Sequence, residues 1–354
     1  MNLKNSLRVV IVGCGGFSKN YLSVYKNLPN LQVTLCVDAD LATAKAMADM
    51  LGANNYSDNF LDAVEAEADY AVLSTPNYLH VSQATALLGS GKHLLMQKPM
   101  ARYLAEAQEL FNFQRALSGP KLGLYMSMLD FGLWWELRQM FSAEQALGKI
   151  TQVNMRLGHT GGILWNKQAV DLWRFSREKT GGGAFIMLGV HYIHFLRWLL
   201  GLRIMRVQAQ TKNLHCSKIE GEDICQIQGE LENGALFQLS VAWNSQGENF
   251  SIYGTEGSML YFDNEHLRVH ALRPCRTKYF DYTTSGKWQN FSNILPPKLD
   301  DPDNAFNQHR LFYEAILNDK QPIVEAREGI WDMNVADAVY RSAATGSWQE
   351  ITYV

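Results

Sequence analysis

Apolar positions in the first 126 residues fall into short unbroken runs, each followed by a stretch of helical periodicity. Arg8–Val12, Val33–Val37, Tyr70–Ser74, His93–Met96 and Leu122–Met126 are such runs. Runs of this length and β-branched content fit strands buried on both faces of a parallel sheet. Between them, helices are predicted to about Leu28, over Ala42–Leu51 before Gly52, over Tyr78–Leu88 before Gly89, and over Leu104–Leu117 before Gly119-Pro120. Repeated strand–helix–strand units predict an α/β fold: a Rossmann, doubly wound parallel sheet over residues 1–127.

From about Met128 the period changes to two. Ile150–Leu157, Met205–Thr211, Cys225–Leu231, Leu236–Val241 and Phe250–Tyr253 alternate, and Glu232-Asn233-Gly234 is a hairpin signal. Residues 128–354 are therefore expected to form an α+β domain on a large, mostly antiparallel open sheet. Such a sheet has helices on one face and presents the other to solvent or a partner subunit. Amphipathic helices are predicted over Asn304–Leu317 and Gly329–Ala344, the last packing back on the first domain.

Composition narrows the function class. The 354 residues are 47% hydrophobic and 19% charged, enough for two buried cores. The net charge, 32 − 35 = −3, gives no electrostatic reason to bind nucleic acid or an anionic membrane. No apolar run approaches the roughly 18–20 residues of a membrane span, and the first residues lead directly into a strand rather than a signal peptide. Five scattered cysteines lack metal-ligand spacing, so a reduced, cytoplasmic protein without a metal site is expected.

The first strand ends in Gly13-Cys14-Gly15-Gly16-Phe17-Ser18, a G-x-G-x-x-S turn between strand and helix. Gly13 permits the tight turn, and Gly15 lets a pyrophosphate approach the backbone. Asp38 follows the first glycine by 38 − 13 = 25 residues, at the end of the second strand. A carboxylate there accepts bonds from ribose hydroxyls and repels a 2′-phosphate, favouring NAD over NADP. Ser74, Thr75, Pro76, Asn77 and His80 close the next strand on the same edge; Asn77 can also cap the helix that follows. Gly91 opens the strand that ends in Gln97-Lys98-Pro99, where proline holds the preceding residue extended and so aims one amine.

These elements in this order resemble the glucose–fructose oxidoreductase / inositol dehydrogenase (Gfo/Idh/MocA) family. Leu147-Gly148-Lys149-Ile150, Trp173-Arg174, the Gly181–His191 stretch G-G-G-A-F-I-M-L-G-V-H, and Ala338-Val339-Tyr340-Arg341-Ser342-Ala343 extend the resemblance over nearly the whole chain. The resemblance implies an NAD(P)-dependent oxidoreductase acting on a sugar, cyclitol or sugar-derivative alcohol/ketone pair. It implies Lys98 and His191 as acid–base residues. Trp173, Arg174, Gln97 and Tyr340 join the cofactor set, and Met187, His194 and Trp165 join Lys98 and His191 around a carbohydrate-like substrate. It also implies a homodimer or homotetramer through the second-domain sheet. Three positions depart from the family pattern: Gln97 replaces a glutamate, and Met187 and His194 each replace an aspartate. Gln97 and Met187 keep open a non-catalytic or regulatory dinucleotide-binding protein, and the resemblance itself keeps open an NAD-retaining glycosidase.

Overall fold

The computed structural model describes residues 6–167, 172–262, 266–272, 275–276, 281–282, 289–292, 301 and 303–353. It comprises two compact units. One holds Met1–Asp130 with Pro297–Ile330, the other Phe131–Pro296 with Trp331–Val354.

The first unit is built on six parallel strands: β1 (Leu7–Val12), β2 (Leu31–Val37), β3 (Asn55–Ser57), β4 (Tyr70–Leu73), β5 (His93–Gln97) and β6 (Leu122–Tyr125). Their order is β3-β2-β1-β4-β5-β6, so connections run outward in both directions from β1. Ligands of such sheets bind outside the carboxyl ends of the strands, at this switch point. Val9, Val10 and Ile11 are fully buried, as unbroken apolar runs require. β3 and the Phe60–Glu65 helix were not legible in the sequence. Asn55-Tyr56-Ser57 has no apolar pattern and is a strand because its backbone completes the ladder beside β2.

The chain returns to this unit late. The Gln308–Leu317 helix lays Phe312 and Tyr313 into the core that holds Leu95 and Tyr125. Sequence reading expects such a return from the final helix. The Ala326–Thr345 helix contributes only its start, where Gly329 sits against Leu124 and Met100, and then continues in the second unit. The first segment of this unit ends at Asp130, and no local pattern tells Phe312 which core it enters.

The second unit carries β7 (Ile150–Gly158), β8 (Ile204–Lys212), β9 (Ile224–Leu231), β10 (Leu236–Ala242), β11 (Gly247–Gly254), β12 (Gly257–Phe262), β13 (His266–Ala271), a short ladder of β14 (Cys275–Arg276) and β15 (Asp281–Tyr282), β16 (Gln289–Ser292) and β17 (Gln349–Glu350). Nine of them form one sheet, β16-β13-β12-β11-β7-β10-β9-β8-β17. Every pairing in it is antiparallel except β7 with β10. Phe237, Leu239 and Val241 of β10 face inward, while Leu236 and Gln238 are exposed. Trp134 packs edge-on against Phe195, Phe250 and Tyr261 at 4.9–5.8 Å. The helical run Arg177–Leu200 is long and apolar enough to span a membrane by length and composition, contrary to the sequence expectation. Most of it is buried within this unit, so its apolarity has a core to serve.

Candidate functional site

In the first unit the glycine turn leaves β1 at Gly13, whose φ is +87°. A Cβ there would stand 2.6 Å from the Ser74 carbonyl carbon, so only glycine fits between the ends of β1 and β4. Around Gly15 and Gly16 a Cβ would meet nothing within 4 Å, which leaves the turn backbone open to a close-approaching ligand. Ser18 is buried, and its hydroxyl donates to the Gly13 carbonyl at 2.5 Å, closing the turn. The expected continuous helix is instead a 3-10 turn, Ser18–Tyr21, and a short α-helix, Leu22–Asn27. Tyr21, at φ −123° and ψ 12°, separates them, with its hydroxyl bonded to the Ser74 hydroxyl at 2.8 Å. Phe17 is exposed, its ring edge-on to Tyr125. Asp38 stands at the end of β2. Its carboxylate accepts the Cys14 N–H at 2.7 Å and the Asp40 N–H at 3.0 Å.

The helix after β4 presents Asn77, His80 and Gln83 at three-residue spacing, all buried. Pro76 holds the cap position and Asn77 is the first helical residue, so capping is not its role. Gln83 accepts from the Thr75 hydroxyl at 2.7 Å. The His80 ring lies 2.8 Å from both the Thr75 and the Pro99 carbonyls, tying the end of β4 to the turn after β5. Burial drives His80 toward its neutral form, and the Lys98 charge acts the same way, against the pull of the two carbonyls. The Lys98–Pro99 peptide is cis. Gln97 is buried and Lys98 half-buried.

In the second unit the glycine triplet opens the helical run that ends in Val190–Leu200. The run contains a π-turn, Phe185–Gly189, that sequence periodicity did not indicate. Single π-turns inside α-helices are frequent at functional sites. Met187 lies in it and His191 just after it, both half-buried, as is Leu188 between them. The residue that orders this segment was missed from sequence. Buried Glu222 accepts the N–H groups of Gly183 at 3.0 Å and Phe185 at 2.8 Å and the Tyr340 hydroxyl at 3.0 Å. Burial raises the Glu222 pKa against these bonds. A Cβ on Gly183 would fall 2.0 Å from the Glu222 carbonyl oxygen, so glycine here admits the Glu222 backbone. Tyr340, expected in the cofactor set, has its hydroxyl committed here. His194, expected in the substrate set, is buried with Nδ1 2.9 Å from Asp332, which also pairs with Arg197. Trp165, Trp173 and Arg174 come together: the Arg174 guanidinium lies 5.6 Å from the Trp165 ring and 4.8 Å from the Trp173 ring.

Beneath the glycine turn lies a polar cluster that sequence reading also missed. Asp130 is buried and accepts from the Tyr125 hydroxyl at 2.7 Å and the Gln308 N–H at 2.9 Å. Burial raises its pKa to about 6. The His309 ring lies tilted against Tyr21 at 4.1 Å and against Tyr125 at 4.6 Å, its Nδ1 bonds the Tyr25 hydroxyl, and burial lowers its pKa to about 3. Only chemical type could have flagged these residues, because their partners are distant in sequence. Among the described residues no cluster of three metal-ligating side chains occurs.

Comparison with known proteins accords with this geometry. Residues 7–118 match the oxidoreductase family with NAD-binding Rossmann fold, and residues 134–260 match the GFO/IDH/MocA C-terminal domain. The chain is 27% identical to 1,5-anhydro-D-fructose reductase of Ensifer adhaerens over 81% of both chains. It is 24% identical to D-glucoside 3-dehydrogenase of Escherichia coli over 98% of this chain and 97% of that one. A levoglucosan dehydrogenase structure, in complex with NADH and levoglucosan, superposes with a TM-score of 0.83 at 19% identity, covering 99% of this chain and 100% of that one. With both domain models matched in order, the chain belongs to the Gfo/Idh/MocA family of NAD-binding oxidoreductases.

Proposed function

We propose that the protein transfers hydride between NAD and a carbinol or ketone of a sugar, cyclitol or sugar derivative, and that it works as an assembly of identical subunits in the cytoplasm. One observation carries the reading. The open glycine turn, Asp38 and Lys98 all stand at the carboxyl edge of one parallel sheet, at the ends of β1, β2 and β5. The dinucleotide would be held by the Gly13–Ser18 turn, by Asp38 at its ribose and by Ser74–Asn77 at the neighbouring strand end. Asp38 leaves no room in charge for a 2′-phosphate, which favours NAD over NADP. Bound NAD supplies the hydride acceptor. The chain supplies proton transfer: Lys98 takes or gives the hydroxyl proton, and His191 is the second acid–base group. Gln97 and His80 fix the direction of Lys98, and Glu222, through the π-turn, fixes that of His191. His194 supports this helix through Asp332 rather than touching substrate.

The relatives named for sugar substrates support a carbohydrate-like ligand here. The outer face of the large sheet supports assembly. Gln208, Gln228, Gln238, Asn154 and Ser251 line up across five adjacent strands as a row of uncharged hydrogen-bonding groups suited to a second copy of the chain.

Lys98→Met is the test of the chemistry. With NAD and a screen of polyols and sugars, the variant should lose turnover by about a hundredfold or more while its NAD affinity stays within about twofold. The wild type should bind NAD in preference to NADP. Normal turnover by the variant, or tight NAD binding with no wild-type turnover on any substrate, would sink the reading.

A further inference from the structure

The chain that leaves the glycine turn departs from helical geometry at Tyr21. It runs as a 3-10 turn through Ser18–Tyr21, and the α-helix starts only at Leu22. Local sequence does not require this break. No glycine or proline lies between Ser18 and Asn27, and Tyr21 makes no side-chain capping bond. The break also shortens the helix whose dipole attracts a diphosphate at this turn in doubly wound folds. What the geometry secures instead is one bond. The Tyr21 hydroxyl lies 2.8 Å from the Ser74 hydroxyl at the end of β4. Ser74 is also the residue that crowds the glycine turn. Its N–H donates to the Val12 carbonyl at 2.8 Å, and its carbonyl carbon stands 2.6 Å from where a Gly13 Cβ would be. The Tyr21 bond therefore ties the far side of the turn to the neighbouring strand end.

The Tyr21 ring is held as firmly as its hydroxyl. It is 1% exposed and packs against His309 at 4.1 Å and Tyr25 at 5.7 Å. His309 is fixed in turn by the Tyr25 hydroxyl at 2.9 Å and lies 4.6 Å from the Tyr125 ring. It belongs to the Gln308–Leu317 helix, so a segment 309 − 21 = 288 residues later in the chain braces the turn. Burial raises the Tyr21 pKa to about 12, which keeps the hydroxyl protonated at neutral pH. A tyrosine that served packing alone would account for neither the break in the helix nor a hydroxyl delivered to the carboxyl edge of the sheet.

We propose that Tyr21 is a positioning residue for the dinucleotide: braced by His309, its hydroxyl pins Ser74 and sets the opening of the Gly13–Ser18 turn before the cofactor arrives. The inference rests on the oxidoreductase reading and adds to it a residue that acts on NAD through another. A bond present in free and bound protein alike does not itself raise affinity. It acts by removing loop freedom that binding would otherwise have to remove. The tip of the turn needs such help, because the space around Gly15 and Gly16 is open and offers no packing of its own. The net worth of one hydrogen bond limits the effect to about three- to tenfold in a dissociation constant.

NADH fluorescence titration of the full chain tests this on wild type, Tyr21→Phe, Ser74→Ala and the double variant, together with hydrogen exchange of the peptide spanning Val12–Tyr21 in the absence of ligand. Each single variant should bind NADH about three- to tenfold more weakly. The double variant should bind no more weakly than either, because both substitutions remove the same bond. Exchange in the turn peptide should be faster in all three variants than in wild type. Tyr21→Phe that binds NADH within about twofold of wild type makes the tyrosine a packing residue and overturns the proposal, whatever its thermal midpoint. Additive losses in the double variant put the Ser74 hydroxyl on the cofactor itself and overturn it as well. Should Tyr21→Phe fail to fold, judged by circular dichroism, Ser74→Ala decides, because it removes the bond from its half-buried side; unchanged turn exchange in that variant refutes the pin. Wild type that does not bind NADH defeats the oxidoreductase reading separately, because the ligand-free exchange still reads the pin.

Discussion

Asp130→Asn should change how stability depends on pH. Asp130 lies in the first unit with its carboxylate sealed beneath Tyr125 and the Gln308 helix start. Burial raises its pKa from 3.8 to about 6, outweighing the bonds from Tyr125 and Gln308 that pull it down. A carboxyl whose folded pKa lies above its unfolded value binds its proton more tightly when folded. Its contribution is therefore fully present below pH 3.8 and is lost as pH rises to about 6. The difference of about two pKa units corresponds to roughly 3 kcal/mol. The asparagine side chain is neutral at every pH and close in shape, so the variant should lack this slope. Hydrogen exchange of the peptide spanning Leu122–Asp130, followed from pH 4.5 to 7.5 and corrected for intrinsic rates, reads the local stability directly. A local readout is preferable because a chain of two units need not unfold in one step. Wild type should lose about 2 kcal/mol of protection relative to the variant across this range, the rest of the effect falling below pH 4.5. Parallel pH profiles for the two proteins would show that Asp130 is not the titrating group.

Two further outcomes follow from buried and outward-facing polar groups. Glu222→Ala leaves the Gly183 and Phe185 N–H groups and the Tyr340 hydroxyl without their acceptor, and should destabilise the second unit by about 3–5 kcal/mol, with Glu222→Gln costing less; urea denaturation followed by tryptophan fluorescence checks this, and a loss under about 1 kcal/mol for alanine would refute the capping role. Gln228→Lys combined with Gln238→Lys places two charges at paired positions of β9 and β10; light scattering should then report monomers where wild type reports dimers or tetramers, and an unchanged mass would remove this face as the subunit contact.

The sequence alone determined the repeating units of the first domain, because strands buried on both faces must be apolar without interruption and helices between them must be amphipathic. It determined the glycine turn, since no residue but glycine allows the Gly13 conformation beside Ser74. It marked Asp38 and Lys98, because each follows its strand directly and strand ends fix position. The order of β7 to β11 was legible in part: alternation and the Asn233-Gly234 turn identify the strands. The parallel pairing of β7 with β10 was not, because strands distant in sequence find each other only through the shared sheet. Local pattern was also silent on the late return of Phe312 to the first core and on Glu222 reaching the glycine triplet. The π-turn around Met187 was equally hidden. The tertiary structure decided these because each depends on which surfaces meet, and a buried carboxylate or guanidinium is defined by partners that the chain brings from far away. Arg174 is the sharpest case. In the sequence it is half of a Trp-Arg pair, and only the fold brings Trp165 within 5.6 Å of its guanidinium.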